Sequence, residues 1–350
     1  MVLVVGSTGK LGSAIVWRLR KDGVPVRALV RRTSNTTVLA GSEAELVVGD
    51  LRDPESLRIA CRGCNAVVTT ASSLHSSTRF DFLRVDRQGN LNLIEAAKAE
   101  KVDRFVFTST VGADVSDAPR IFKNKKFVED RLAESGLRHT ILRPAGFMEN
   151  LVPLIRWVQG MGWVVIPGPG TTKTSYIAIR DIAEMVRLVL VKPPQHPVIE
   201  FGGPEDLSLL DCIAELREVL GRRIPVFHVS FCLLRFIGRA ARPFTEAWHA
   251  LFEITEFVEQ RGLRADKKFL ADYPIQLTSF SQLCGAAVGP IDWSRVIARS
   301  SCNHRRSART EDHGVVTGEA DWGGQTQHSG SAERPKRAAL PPQGARATCG

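Results

Sequence analysis

The stretch Val4-Val5-Gly6-Ser7-Thr8-Gly9-Lys10-Leu11-Gly12 places three glycines at intervals of three residues directly after an apolar run. In such a loop the first glycine permits a tight turn, the second lets the backbone approach a pyrophosphate, and the third lets a helix pack closely on a strand. The free N–H groups at the start of the following helix favour phosphate groups. The sequence therefore predicts a dinucleotide-binding loop made of Gly6, Ser7, Thr8, Gly9, Lys10, Leu11 and Gly12. The alternative is a turn between a strand and a helix that binds nothing.

The residues around this loop alternate between strand and helix patterns. Short apolar runs predict strands at residues 2–5, 26–30, 44–48, 66–70, 105–108 and 139–142. Apolar residues at helical spacing predict helices at 11–21, 54–61, 86–100 and 125–135. This alternation is typical of βαβ units and predicts an α/β fold with a doubly wound parallel sheet.

The pattern loosens after residue 145. We predict helices at 148–160, 181–191, 208–220, 231–242 and 246–261, and strands at 163–166, 174–179 and 198–201. From residue 294 the apolar periodicity stops and Ser, Gly, Arg, His and Pro dominate, which favours disorder. The predicted organisation is a nucleotide-binding domain at 1–145, a smaller substrate or partner lobe at 146–293 that interleaves with it, and a disordered tail at 294–350.

The end of the second predicted strand indicates which dinucleotide binds. An acidic residue there would bond a ribose 2′-hydroxyl and indicate NAD, but the chain has Arg31 and Arg32, followed by Thr33 and Ser34. Arginine binds phosphate with two parallel hydrogen bonds, so this pair favours the 2′-phosphate of NADP, unless it is only a solvated basic loop. Further cofactor contacts are predicted where the third and fourth strands end, at Asp50 and Leu51 near the adenine and at Thr70, Ala71 and Ser72.

The composition excludes several classes of protein. The 350 residues carry a net charge of +10, but nine Lys or Arg and five Asp or Glu lie beyond residue 294, and no basic stripe is interleaved with aromatics. We therefore expect no nucleic-acid partner. No apolar run reaches the ~18 residues of a membrane span, and Met1 leads directly into the first strand without the features of a signal peptide. The seven cysteines are scattered, so a protein of a reducing compartment, by default the cytoplasm, is expected.

Several segments together resemble the NmrA-like group of atypical short-chain dehydrogenase/reductases. They are the glycine loop, Leu29–Arg32, Gly49–Asp53, Arg104–Ser109, Glu129–Leu137, Thr140–Pro144, Ile177–Ala183 and Phe201–Pro204. The resemblance spans about residues 1–285 and implies a Rossmann-type sheet with a small C-terminal substrate lobe. It also implies that NADP(H) lies on the glycine loop, with its nicotinamide near Ser109, Lys125 and the segment from Pro144 to Phe147.

One departure from the family pattern concerns catalysis. Short-chain dehydrogenases normally use a Tyr-x-x-x-Lys pair in which the tyrosine exchanges a proton with the substrate. Aligning on Glu129 puts Lys125 at the lysine position and Ile121 at the tyrosine position, and a slip by one residue gives Lys126 and Phe122. Neither Tyr176 nor Tyr273 has a lysine four residues later.

Two functions remain open at this point. The first is an NADPH-dependent reductase of a small carbonyl, quinone or conjugated alkene, with a proton from Lys125, Ser109 or water. The second is a non-enzymatic NADP(H)-binding protein with a protein partner, either a redox-responsive regulator or a photosynthetic-complex assembly factor in the chloroplast stroma. Relatives without the tyrosine include sensors and assembly factors, whereas the isoflavone-reductase type implies a lysine-based reductase.

Four other features receive a structural interpretation. Cys61 and Cys64 form one Cys-x-x-Cys pair without further ligands, and His75 stands alone in sequence, so no metal site is predicted. Asp181 is expected to cap a helix. Residues 231–242 are apolar on one side and basic on the other, which suits a helix covering the substrate lobe or, alternatively, contact with an anionic membrane surface.

Overall fold

The central sheet contains seven parallel strands in the computed structural model, which describes residues 1–72, 83–234, 236 and 246–288. These strands are β1 (Val2–Val5), β2 (Val26–Val30), β3 (Glu45–Val48), β4 (Ala66–Thr69), β5 (Arg104–Thr108), β6 (His139–Pro144) and β8 (Val198–Phe201). They lie in the order β3-β2-β1-β4-β5-β6-β8. The first six follow the Rossmann order, in which the direction of winding reverses between β1 and β4. The predicted α/β fold with a doubly wound parallel sheet is confirmed.

Helices cover both faces of the sheet, and further helices pack beyond it. They are α1 (Lys10–Lys21), α2 (Pro54–Cys61), α3 (Asn90–Ala99), α4 (Arg120–Glu134), α5 (Val152–Met161), α6 (Ile179–Val191), α7 (Leu209–Leu220), α8 (Glu246–Arg261), α9 (Phe269–Asp272) and α10 (Phe280–Ala287). Successive strand residues point to opposite faces. In β1, Val4 therefore packs with α1 and α6, while Leu3 and Val5 pack with α2, α3 and α4.

A second core lies beyond the central sheet. The strands β7 (Val164–Pro167) and β9 (Val226–Val229) form a parallel pair, with Val165 opposite Phe227. The inward side chains of this pair include Ile166 of β7. Buried residues of three helices pack against them, among them Ile155 of α5, Leu216 of α7 and Phe280 of α10. The division into lobes at residue 145 stays a prediction, because β8 comes from the second predicted lobe and completes the first sheet.

The segment predicted as a strand at 174–179 is not one. Its backbone N–H groups donate to three separate stretches of chain: Thr174 to Leu207, Ser175 to Leu263 and Ile177 to Gly146. Only isolated bridges form, so the segment is buried as a connector. The apolar pattern therefore predicted correctly that the segment is buried, but wrongly that it pairs with a neighbouring strand.

Three predicted helices have different bounds. The predicted helix at 125–135 begins at Arg120, because Ile121 and Phe122 are buried and extend it by more than a turn. The predicted helix at 86–100 consists of a π-helical turn, Arg84–Gly89, followed by α3. The predicted helix at 148–160 divides into a short 3₁₀ turn and α5, which has a proline in its first turn.

Some predictions fall on residues outside those described. They are His75, most of the predicted helix at 231–242, of which residues 231–234 and 236 are helical, and the tail at 294–350. Among the described residues, no helix combines the length and apolar character that crossing a membrane requires.

Candidate cofactor and reduction site

The glycine loop joins the carboxyl end of β1 to the start of α1. Gly6 has a φ of +80°, and a Cβ there would stand 2.8 Å from the Thr70 hydroxyl oxygen. A Cβ on Gly12 would stand 2.1 Å from the Gly6 carbonyl oxygen. Gly9 lies at the N-cap of α1 without a side-chain cap, and the first turn of α1 contains no acidic residue. The loop therefore presents unblocked backbone N–H groups, which suit a pyrophosphate.

Not every predicted loop residue can offer its side chain to a ligand. The Ser7 side chain is fully buried and donates a hydrogen bond to the Leu29 carbonyl oxygen at 2.7 Å. Leu11 is buried in the core against the sheet. Thr8 is partly exposed, and Lys10 is exposed. Ser7 and Leu11 therefore serve the fold with their side chains, and only their backbone is available to a cofactor.

Beyond β2, the side chains of Arg31 and Arg32 are exposed. Within the described residues neither guanidinium makes an ion pair closer than 4 Å. The Asp50 carboxylate accepts from Arg52 Nε at 2.9 Å and Nη2 at 2.6 Å. These bonds hold the pKa of Asp50 below its ordinary value, with a smaller contribution from the charge of Arg31. The two arginines thus remain available to an anionic ligand.

The remaining predicted cofactor contacts lie where the neighbouring strands end. Thr70 and Ala71 follow β4 and are partly buried, while Ser72 is exposed. Leu51 is buried beneath the region expected for the adenine, and its carbonyl oxygen accepts from Asn92 at 3.0 Å. At the end of β6, the Pro144 carbonyl oxygen accepts from Val111 N at 3.1 Å. Phe147 forms an isolated bridge with Ile177.

The side chain of Lys125 reaches the carboxyl end of β5. Its Nζ donates to the Thr108 carbonyl oxygen at 2.8 Å and lies 5.4 Å from the centre of the Phe107 ring. Burial lowers the pKa of this ammonium, an effect that the charges of Asp86 and Glu129 partly oppose. A helix beginning at residue 125 would place Lys125 in its first turn. This expectation was wrong, because α4 begins at Arg120 and Lys125 is its sixth residue.

Two hydroxyl groups accompany this lysine at the end of β5. Ser109 and Thr108 are buried, and in the described part of the chain neither hydroxyl oxygen has a hydrogen-bond partner. Buried hydroxyls are normally satisfied, so an unpaired pair in a crevice indicates a ligand or ordered water. The Lys125 ammonium and the two unpaired hydroxyls therefore all lie at the carboxyl end of β5, where the nicotinamide end is expected.

The neighbours of Lys125 face elsewhere. Lys126 makes an ion pair with Asp130 on the outer side of α4. Phe122 packs edge to face against Phe257, with ring centres 5.6 Å apart, and Ile121 is buried in the same cluster. An α4 position four residues before Lys125 is therefore apolar core and supplies no proton.

Both tyrosines belong to the fold. Tyr176 lies in the second core, where a Cβ on Gly146 would stand 3.1 Å from its ring, and burial raises the pKa of its phenol. Tyr273 donates to the Lys192 carbonyl oxygen at 2.8 Å, at the far end of α6. Neither is among the groups that surround Lys125.

A buried ion network stands directly behind the site. The Arg143 guanidinium donates to Glu129 Oε1 at 3.0 Å and to Oε2 at 2.6 Å. It also donates to Asp114 at 2.7 Å and to Glu200 at 2.8 Å. These carboxylates raise the pKa of Arg143 above its ordinary value. Since Asp114 belongs to the loop after β5, the network ties that loop to β6, β8 and α4.

The other singled-out residues are structural. Asp181 does not cap α6, because Ala178 occupies the N-cap and Asp181 is the third helical residue, where it accepts from the backbone and hydroxyl of Thr278. Burial raises the pKa of the Cys61 thiol to about 12 and also raises that of Cys64. Both thiols are thus poorly suited to forming thiolates. The described residues contain no cluster of three or more potential metal ligands.

The sequence interpretation missed three contributors to this site. Thr108 supplies both the carbonyl partner of Lys125 and one unpaired hydroxyl. Glu129 acts on Lys125 from one helical turn away, a spacing that the sequence does display. Asp86 acts from the π-helical turn, which packs against α4, and no sequence signal announces that turn.

The described residues fit a dinucleotide. Adjacent strands lie about 4.8 Å apart, so roughly 14 Å separate the ends of β2 and β5, with β1 and β4 between them. Along that line lie the exposed arginines, the glycine cradle with its unblocked N–H groups, and the end of β5 with Lys125 and the unpaired hydroxyls. The order of these groups matches the adenosine ribose, the pyrophosphate and the nicotinamide riboside of such a cofactor.

Comparison with known proteins gives the same picture. A family described as NAD(P)H-binding matches residues 6–193. The photosystem II assembly factor Ycf39 of Cyanophora paradoxa is 30% identical over 71% of this chain and 77% of its own length. An NAD(P)H azoreductase of Xenophilus azovorans is 31% identical over 67% of this chain and 78% of its own. The structure of an NADPH-dependent quinone oxidoreductase from Escherichia coli, complexed with NADPH, superposes with a TM-score of 0.67 at 23% identity, over 82% of this chain and 99% of that one.

Proposed function

We propose, since the chain belongs to the NAD(P)H-binding family, that it binds NADPH across the ends of β2, β1, β4 and β5 and reduces a small organic acceptor. Membership of this family, with its reductase-like fold, agrees with the resemblance to NmrA-like atypical short-chain dehydrogenases. The acceptor class we propose is a carbonyl, a quinone or a conjugated alkene. The observation that carries the proposal is that the Lys125 ammonium reaches the Thr108 carbonyl oxygen at the carboxyl end of β5, the same strand end that carries the unpaired hydroxyls of Thr108 and Ser109.

The exposed guanidiniums support NADPH rather than NADH. Arg31 and Arg32 follow β2, and neither they nor the next two residues are acidic. A 2′-phosphate between two arginines gains charge-assisted hydrogen bonds that a 2′-hydroxyl cannot match. Asp50, the nearby carboxylate, is already held by Arg52 and does not compete for them.

The proposed mechanism assigns the proton to the chain. When bound, NADPH supplies a hydride, and the acceptor then needs one proton to complete a two-electron reduction. Lys125 stabilises the negative charge that develops on the acceptor oxygen and donates that proton from Nζ, which water later replaces. The Thr108 carbonyl orients Nζ, and the Ser109 hydroxyl donates a hydrogen bond to the same oxygen.

The test is oxidation of NADPH by the purified chain with a panel of quinones, azo dyes and α,β-unsaturated ketones. We expect turnover with at least one acceptor, and at least about a hundredfold loss in Lys125→Met. Lys126→Met is the matched control, because this side chain pairs with Asp130 on the outer side of the same helix. If the wild type fails to oxidise NADPH with every acceptor of the panel, the reductase proposal is wrong.

A second candidate is a non-enzymatic NADP(H)-binding protein that acts through a protein partner. The specific observation in its favour is the buried Ile121 where short-chain dehydrogenases carry their tyrosine. The similarity to Ycf39, which is named an assembly factor, supports this candidate and makes a plastid a plausible location, whereas the similarity to an azoreductase supports the first. Tight NADPH binding without turnover, together with a partner retained only by the NADPH-bound form, would favour the second.

A further inference from the structure

Three aromatic rings meet on the outer surface of the second lobe. Trp157 of α5 lies edge to face against Trp163, with ring centres 5.5 Å apart. Trp163 in turn lies 6.0 Å from Phe227 of β9. These side chains are 47%, 37% and 56% exposed, respectively. Large aromatic side chains rarely cluster in solvent without a binding role.

Aliphatic side chains widen this patch. Met161 follows Trp157 by four residues on α5 and is 57% exposed, and Val165 stands opposite Phe227 in the β7–β9 pair and is 41% exposed. We call Trp157, Met161, Trp163, Val165 and Phe227 the aromatic face. It lies on the opposite side of α5 and β7 from the buried core of the lobe, which includes Ile155 and Ile166.

The chain segments that build the aromatic face are basic and contain no acid. No Asp or Glu occurs at 151–180 or at 221–245, which together contain seven Arg and one Lys. Arg156, Arg222 and Arg223 are exposed, and none makes an ion pair within the described part of the chain. Arg222 donates to the carbonyl oxygens of Val158 and Gln159 at 2.5 and 3.0 Å, which fixes its guanidinium beside the aromatic face.

We propose that the aromatic face docks on an anionic lipid bilayer. Tryptophan prefers the headgroup region, where an apolar ring meets water, and methionine and valine side chains can enter the acyl boundary below it. Exposed guanidiniums bind the phosphates of anionic headgroups. The segment after β9 also exposes apolar side chains, since Leu233 is 52% and Phe236 is 72% exposed. Residues 230–245 contain no Asp or Glu. This inference is independent of the proposed reductase activity.

The bilayer explains the combination better than an acidic protein does. A protein interface typically concentrates its aromatics in a centre bordered by polar residues of both signs. Here the charged residues within the two segments that build the aromatic face are all basic, and its aliphatic side chains, Met161 and Val165, stand out singly on a helix and a strand. A partner that is both fluid and negatively charged satisfies both features without a shaped pocket.

The experiment measures partitioning of the full chain onto vesicles of phosphatidylcholine alone or mixed equally with phosphatidylglycerol. We expect binding at least about tenfold tighter to the anionic vesicles, since each arginine near such a surface contributes about fivefold. Binding should weaken with added salt. Brominated lipids should quench tryptophan emission, because rings in the headgroup region lie close to the acyl chains.

Two double variants and their controls locate the binding surface. Trp157→Ala with Trp163→Ala should lower the partition constant by at least about tenfold on both vesicles. Arg156→Gln with Arg223→Gln should lower it by a similar factor on anionic vesicles only. The controls are Trp17→Ala, an exposed tryptophan of α1, and Lys98→Gln with Arg131→Gln, two exposed cations on other helices. Circular dichroism melting confirms that each variant folds.

Three results would overturn the proposal. One is equal binding to neutral and anionic vesicles, and another is vesicle binding that the double tryptophan variant retains in full. The third is concentration-dependent self-association, or capture of an acidic protein, that the tryptophan substitutions abolish while vesicle binding stays at the level of the controls. That result would assign the aromatic face to a protein contact.

Discussion

Lys125 Nζ donates a hydrogen bond to the Thr108 carbonyl oxygen at 2.8 Å. This bond holds the ammonium at the carboxyl end of the fifth strand, which also carries the unpaired hydroxyls of Thr108 and Ser109. A backbone carbonyl orients the charged group without neutralising it, so the ammonium keeps its capacity to donate to a ligand. The bond links the second turn of α4 to the point of the sheet where the nicotinamide end is expected.

Removing the ammonium should separate catalysis from cofactor binding. In Lys125→Met we expect turnover to fall by at least about a hundredfold, because positioned acid catalysis is typically worth 10²–10⁴-fold. NADPH affinity should fall far less, since the glycine loop and the arginines at β2 are intact. Steady-state kinetics and calorimetric titration measure the two quantities separately.

The controls test the assignment of roles among neighbours. Lys126→Met should leave turnover within about twofold of the wild type, and so should Tyr176→Phe, whose phenol lies in the core. Loss of activity in Tyr176→Phe alone, with the fold intact, would contradict a mechanism without tyrosine.

The pH dependence should report the same ammonium. The protonated form of Lys125 acts, so kcat/KM should be constant at low pH and fall as pH rises through its pKa in the folded protein. Burial lowers that pKa below the ordinary 10.5, so the falling limb should begin at a lower pH than an exposed lysine would give. Lys125→Arg keeps its charge and should move the limb out of the measurable range. A limb that is unchanged in this variant belongs to another group.

Cofactor preference should depend on the arginines after β2. We expect NADPH to bind more than tenfold tighter than NADH, because each charge-assisted hydrogen bond contributes about 1.5–3 kcal/mol and about 1.4 kcal/mol is a factor of ten. Replacing Arg31 and Arg32 by Ala should remove the preference, while Arg62→Ala, on an exposed turn below the sheet, should not. Equal affinities in the wild-type chain would contradict this expectation.

The sequence predicted the sheet well because local patterns determine it. Continuous apolar runs such as Val2–Val5 and a glycine spacing typical of phosphate loops are both readable from neighbouring residues. The pairing of the segment 174–179 was not readable, because its backbone bonds to three stretches far away in the chain. The role of Asp181 was misread for the same reason: its carboxylate bonds to Thr278, 97 residues later.

The candidate site was readable only in part. The sequence favoured Lys125 over Lys126 only through the alignment on Glu129. The hydrogen bond from Lys125 to the Thr108 carbonyl oxygen and the ion pair of Lys126 with Asp130 show which of the two lysines faces the sheet. Whether the Thr108 and Ser109 hydroxyls have hydrogen-bond partners depends on residues that are distant in the sequence. No sequence pattern could therefore predict that they are unpaired among the described residues.

The network around Arg143 should matter mainly for stability. In Arg143→Met the buried carboxylate of Glu129 loses both of its guanidinium bonds, and breaking a buried pair typically costs about 3–5 kcal/mol. Arg131→Met removes an exposed pair with Glu134 on the same helix and should cost less than about 1 kcal/mol. Urea unfolding of both variants measures the difference, and equal costs would show that burial does not set the strength of this network.

Two glycine substitutions should have opposite effects, for reasons that lie in their surroundings. A Cβ on Gly12 would stand 2.1 Å from the Gly6 carbonyl oxygen, and both atoms belong to backbone that cannot move without opening the loop. Gly12→Ala should therefore destabilise the chain and abolish NADPH binding.

Gly285 lies inside α10, and a Cβ there meets nothing within 4 Å. Because alanine is favoured over glycine within a helix by about 0.5–1 kcal/mol, Gly285→Ala should raise the melting temperature and leave cofactor binding unchanged. Thermal melts with and without NADPH test both. If Gly12→Ala keeps the ligand-induced rise in melting temperature seen in the wild type, then the close approach of α1 to β1 is not what forms the phosphate cradle.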